Sequence, residues 1–150
     1  MNLTVDASVF VAAARADDGH YAASRQLLQQ LQAQRCRLVC PTLVLPECAS
    51  AIARQTGDTD LARELIELVQ AFPGMRLAPL DPPMARRAAD IARRQRVRGA
   101  DAVYVAVAEV FDAILIAWDS EMLERCSGVV IVVTPQEWLH HHAATDIHSL

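Results

Sequence analysis

Short β-prone runs in this chain are separated throughout by helix-length amphipathic stretches, and the runs themselves carry little polar alternation. Strands that are apolar on both sides need cover on both faces, and strands joined through helices run in the same direction. The expected fold class is therefore α/β, with a mostly parallel central sheet flanked by helices. In such a sheet functional groups gather beyond the carboxyl ends of the strands, where loops and helix N-termini meet.

The elements follow from local signals. Asn2 to Val5 reads as a first strand, and Asp6-Ala-Ser offers an acceptor side chain where strand hands over to helix. Tyr21 to Leu31 carries Leu27, Leu28 and Leu31 at helical spacing, and Arg37 to Cys40 reads as a second strand stopped at Pro41. Leu43 to Arg54 is the next helix, with Pro46 in its first turn, where a missing amide does least harm. Asp60 to Phe72 puts Leu61, Leu65, Leu68 and Phe72 on one face; periodicity alone leaves open whether that stripe is buried or offered to a second subunit. A strand at Met75 to Ala78 and a helix from Pro82 or Pro83 to about Val97 come next, with Gly99 expected to break that helix. Asp101 is expected to cap a helix through about Phe111. Then come a strand at Ile114 to Trp118, a short helix from Ser120, a strand at Val129 to Val133 and a last turn at Pro135 to Leu139.

At 150 residues and 53% apolar the chain suits one domain, expected over 1–140 with a tail over 141–150. The longest apolar runs are too short to cross a bilayer and the N-terminus lacks the order of a signal peptide, so a cytoplasmic protein without membrane association is expected. Cys36, Cys40, Cys48 and Cys126 are too scattered for zinc-ligand pairs and read as buried thiols. The His140 to His142 run reads as solvated tail rather than metal site. The formal charge of -4 excludes a broad basic face and counts against a simple nucleic-acid-binding module. There is no lysine, yet Arg86, Arg87, Arg93, Arg94, Arg96 and Arg98 gather just ahead of Asp101. They form either a solvated face or a phosphate-contacting patch, in which Arg94 and Arg98 are the candidate contacts.

Four acids carry the chemical signal. Asp6 and Asp119 each follow an apolar run, at the expected carboxyl ends of two strands. Asp101 begins a segment continuing Ala-Val-Tyr-Val-Ala-Val-Ala, and Glu47 lies in Leu43-Val-Leu-Pro-Glu-Cys-Ala-Ser-Ala-Ile-Ala, each a lone acid in an apolar helix. Burying several carboxylates together is costly unless a cation or donors offset their repulsion. Hard oxygen ligands suit Mg²⁺ or Mn²⁺, which activates water and neutralises charge on phosphorus oxygens. The bland alternatives are helix caps for Asp6 and Asp101, a turn for Asp119, and an ion pair with Arg54 for Glu47. Ser8 and Ser50 are candidates for orienting carboxylates or water, or for ordinary capping and packing. A phosphotransferase with its first-strand Asp usually wants a second Asp two residues on, or a Lys; here position 8 is Ser.

The runs Val5-Asp-Ala-Ser-Val, Gly99-Ala-Asp-Ala-Val-Tyr-Val-Ala-Val-Ala and Ile116-Ala-Trp-Asp-Ser-Glu-Met-Leu, together with the Glu47 helix, resemble PIN-domain ribonucleases. The likeness is greatest to VapC-type toxins of toxin–antitoxin pairs and extends to Val-Thr-Pro-Gln-Glu-Trp-Leu near the C-terminus. The resemblance implies a three-layer sandwich and a Mg²⁺- or Mn²⁺-dependent endoribonuclease. It also implies a homodimer held inactive by a cognate antitoxin, with Asp6, Glu47, Asp101 and Asp119 as the metal-binding acids and Ser8 in support. An inactive PIN-like protein-binding module is the alternative. Many relatives carry Thr or Ser two residues before the last acid, where this chain has Ala117; Ser120 and Glu121 are the nearby substitutes.

Overall fold

The computed structural model describes residues 1–146, with side chains to 143. Its strands are β1 (Asn2–Val5), β2 (Arg37–Pro41), β3 (Met75–Ala78), β4 (Ala113–Ile116) and β5 (Val132–Val133). They form one sheet in the order β3-β2-β1-β4-β5, with every pairing parallel. The helices are α1 (Ala7–Ala13), α2 (Tyr21–Ala33), α3 (Val44–Thr56), α4 (Thr59–Ala71), α5 (Pro82–Gln95), α6 (Gly99–Val110), α7 (Ser120–Cys126) and α8 (Pro135–Asp146). The α/β class and parallel sheet expected from the sequence are thus present.

β1 is the oldest strand in chain order yet lies at the centre, with β2 on one side and β4 on the other. The chain therefore changes winding direction at the boundary between β1 and β4. Diverging connections leave a crevice at such a switch point, outside the carboxyl ends of the strands. Asp6 follows β1 and Asp119 lies shortly after β4, so both lie at that switch point.

Helix α6 packs on β1, β2 and β4, and α5 packs on α6. Residues Asp101 to Ala108 are all buried, as expected of a helix that is apolar all round. On α4 the stripe is divided: Ala62, Leu65 and Val69 are buried, whereas Leu68 is exposed. Leu68 lines an apolar groove of about 570 Å³ with Phe10, Tyr21, Leu28 and Leu61.

Several boundaries differ from the sequence reading for local reasons. Gly99 does not break a helix; α5 ends at Arg96, which takes a left-handed φ of 58°, and Gly99 opens α6. Arg98 holds the cap position of α6, so Asp101 sits inside the first turn rather than capping it. β4 stops at Ile116, although the Ala117 amide still donates to the Val133 carbonyl at 3.0 Å. β5 keeps only two residues of the Val129 to Val133 run, because the Val129 and Val130 amides turn back to Cys126 O. The last turn is instead the helix α8 through Asp146, so 141–146 belong to it and only 147–150 of the expected tail lie outside the described residues. Within it His142 stacks on Trp138 at 3.7 Å between ring centroids, rather than lying in a solvated tail. The cysteines are free thiols, with Cys36 partly exposed and the other three buried.

Candidate metal centre

Asp6 is 7% exposed. Its backbone N–H donates to Ile116 O at 3.0 Å, tying the end of β1 to the end of β4. As N-cap of α1, its Oδ2 accepts the Ser8 amide at 3.0 Å. Burial pushes the Asp6 carboxyl up to about 6; Ser8 opposes this, and the Glu47 and Asp101 charges add to it.

Glu47 enters from the first turn of α3. Its Oε1 is buried and has no hydrogen-bond partner. Burial raises its pKa, the Tyr104 hydroxyl lowers it, Asp101 raises it and Arg98 lowers it. Tyr104 is fully buried on α6. Its hydroxyl lies close enough to steady the Glu47 charge, yet neither that hydroxyl nor Glu47 Oε1 completes a hydrogen bond of good geometry.

Asp101 is 8% exposed, and burial is the largest cause of its raised pKa. Arg98 opposes that rise, with its Nε donating to Asp101 Oδ2 at 3.1 Å. The same guanidinium donates through Nη2 to Asp119 Oδ2 at 3.0 Å, while Asp119 Oδ1 accepts the Met122 amide at 3.0 Å as N-cap of α7.

The structure therefore brings Asp6, Glu47 and Asp101 into mutual electrostatic contact and attaches Asp119 through Arg98. Among the described residues no group of three or more carboxylate, imidazole or thiol side chains is placed to hold a metal ion as the side chains stand. What the site offers a cation is an all-oxygen donor set with one buried carboxylate oxygen lacking any donor and three acids whose charges disfavour one another. That combination suits a hard divalent ion better than a thiophilic one. Beside it runs a cleft of about 730 Å³ lined by Leu43, Pro46, Glu47, Ser50, Arg54 and Arg98. Arg54 borders this cleft but forms no ion pair with Glu47 among the described residues.

Of the supporting residues, Ser8 holds Asp6 through its amide and accepts the Trp118 N–H on Oγ at 3.3 Å. Ser8 thus braces the backbone beside Ala117. Ser120 is exposed, and Glu121 pairs with Arg125 at 3.5 Å while its charge adds to that on Asp101. Arg94 pairs with Asp90 at 3.2 Å on the exposed side of α5. Two features escaped sequence reading: Arg98 as counter-ion to two of the acids, and the Tyr104 hydroxyl beside Glu47. The only hint of the first was the i to i+3 spacing of Arg98 and Asp101.

Residues 3–127 match the PIN domain, and the chain belongs to that family. Solved structures of similar fold include VapC20 of Mycobacterium tuberculosis, described as a Sarcin-Ricin loop cleaving toxin, at 19% identity, covering 79% of this chain and 90% of that one with a TM-score of 0.67. PAE2754 of Pyrobaculum aerophilum is 24% identical over 96% of this chain and 99% of its own, with a TM-score of 0.66. A toxin-antitoxin complex from Klebsiella pneumoniae is 15% identical over 89% and 97%, with a TM-score of 0.63. None of the curated proteins matches the chain significantly.

Proposed function

We propose that the chain is a Mg²⁺- or Mn²⁺-dependent endoribonuclease and the toxin of a type II toxin–antitoxin pair. The observation that carries the reading is the convergence of Asp6, Glu47 and Asp101, buried or half-buried, at the β1/β4 switch point. Asp6, Glu47 and Asp101 would hold the ion. When bound, it supplies Lewis acidity to the phosphoryl group and lowers the pKa of water. Ser8 fixes the Asp6 carboxylate, and the Tyr104 hydroxyl favours ionised Glu47. Asp119 has both oxygens engaged, so it joins the donor set only when Arg98 swings away, which the 72% exposure of that side chain permits. Arg98 then stands at the mouth of the cleft, where its fork suits a phosphate.

RNA as substrate is supported by the likeness to the mycobacterial Sarcin-Ricin loop cleaving toxin, and an antitoxin as partner by the likeness to the Klebsiella toxin-antitoxin complex. The open apolar groove beside Leu68 offers surface for a protein partner, either an antitoxin or the second copy of a homodimer. A cytoplasmic location accords with RNA as substrate, and no helix among the described residues is long and apolar enough to cross a membrane. The inactive-module reading draws on one observation, the bridging of Asp101 and Asp119 by Arg98.

The deciding experiment incubates the protein with total bacterial RNA plus Mg²⁺, Mn²⁺ or chelator, alongside Asp101→Asn. Cleavage that needs the metal and is lost in Asp101→Asn supports the nuclease. A folded protein that leaves RNA intact under every condition favours the binding module.

A further inference from the structure

His20 occupies the N-cap position of α2 without making a capping hydrogen bond. That position ordinarily takes Ser, Thr, Asp or Asn because their oxygens satisfy a free amide. The imidazole is instead stacked on Trp118, with centroids 3.7 Å apart and planes 10° from parallel. The ring contact thus takes the place of a cap, and it leaves the polar edge of the imidazole unspent on the helix.

Trp118 is fixed from two directions. Its indole N–H donates to Ser24 Oγ at 2.8 Å, and Ser24 is fully buried. Its backbone N–H donates to Ser8 Oγ, and Ser8 in turn holds Asp6. The next residue in the chain is Asp119. His20 is held too: its amide donates to Asp18 Oδ1 at 2.8 Å. The side chain is exposed, and among the described hydrogen bonds neither ring nitrogen is engaged. The stack is therefore a two-ring platform held next to Asp119 in the chain and bonded through Ser8 to the segment that carries Asp6, with its outer ring exposed.

From this geometry we infer that His20 and Trp118 form a stacking subsite for an unpaired RNA base next to the phosphodiester that is cut. Sequence-selective RNA proteins commonly splay out single-stranded bases and stack them on aromatic side chains, His included. The free ring nitrogens of His20 add hydrogen-bonding capacity at the edge of that base, which gives selectivity as well as affinity.

The inference rests on the nuclease reading, and the test separates their failures. Cleavage of an RNA oligonucleotide spanning a site mapped in total RNA is measured for the unsubstituted protein, His20→Ala and His20→Tyr. A matched oligonucleotide lacking the base beside the cut is cleaved in parallel. In His20→Ala, KM is expected to rise about ten-fold with kcat within about two-fold, and His20→Tyr to restore KM. The abasic oligonucleotide should raise KM for the unsubstituted protein and have no further effect on His20→Ala. If His20→Ala instead lowers kcat and raises the metal requirement with the abasic penalty intact, the stack merely braces Asp119 and the subsite is overturned. Equal KM for all three proteins also overturns it, leaving the nuclease standing. Absence of any RNA cleavage by the unsubstituted protein removes both.

Discussion

Arg98 Nε donates to Asp101 Oδ2 at 3.1 Å, so a guanidinium lies against one carboxylate oxygen of an acid proposed to hold the ion. Cation and guanidinium compete for the same lone pairs. Arg98→Ala is therefore expected to bind Mn²⁺ several-fold more tightly by calorimetry. Because the Arg98 side chain is 72% exposed, screening should keep the accompanying stability change to about 0.5 kcal/mol or less. Unaltered Mn²⁺ affinity would mean the two cations use different oxygens.

The acids make the metal-free fold sensitive to pH, with a defined sign. The Asp6 carboxyl moves from its ordinary 3.8 to about 6 in the folded chain, so between those values the folded state binds more protons than the unfolded one. Stability is then full below the unfolded pKa and falls as pH rises through the window to about 6. At about 1.36 kcal/mol per unit the effect is on the order of 3 kcal/mol, and Glu47 and Asp101 shift the same way. Asp6→Asn, which retains a capping oxygen, is expected to raise metal-free stability at pH 7 and to lose that gain toward pH 4. Denaturant titrations at the two pH values measure this; a loss at pH 7 would contradict it.

Tyr104 buries a hydroxyl that completes no hydrogen bond of good geometry, so its removal is cheap for the fold. Tyr104→Phe is expected to change stability by less than about 1 kcal/mol. The same hydroxyl steadies ionised Glu47, so half-maximal cleavage should require several-fold more Mg²⁺. A large stability loss with unchanged Mg²⁺ demand would assign Tyr104 to the core alone.

Gly74 turns the chain from α4 into β3 with φ at 79°, and a Cβ there would collide with the Cys36 carbonyl oxygen. The Gly74 carbonyl also accepts the Leu38 amide at 3.0 Å. Gly74→Ala is expected to cost about 1–3 kcal/mol, seen as a lower urea midpoint with m unchanged.

Arg94 lies on the exposed side of α5, paired with Asp90. If this face tracks the RNA backbone, Arg94→Glu weakens binding across sequences and reduces the salt slope by about one. Titrations at several salt concentrations decide it, an unchanged slope leaving Arg94 as solvated surface.

The parallel sheet and the burial of Asp6 and Asp101 were legible because each depends on local pattern. A lone acid in an apolar helix must meet compensation somewhere, and strands joined through helices bring their carboxyl ends to one rim. Helix starts were less legible: Arg98 rather than Asp101 takes the cap of α6, since either residue can open a helix and only the chain path decides. The bridge from Arg98 to Asp119 and the stack of His20 on Trp118 were invisible. They join residues 21 and 98 positions apart, through side chains whose direction is set by packing. The full extent of α8 escaped because Pro135 to Leu139 gave only one turn's worth of signal.

The pairing of β1 with β4 has a consequence for synthesis. The central strand is made well before one of its neighbours, β4, which is complete only at Ile116. Until then the nascent chain holds an open inner edge, and residues Asp101 to Ala108 have no completed sheet to cover. Such long-range closure slows folding and exposes sticky intermediates. A polypeptide cut short before β4 would lack the strand that borders β1 on that side, and with it the site at their carboxyl ends.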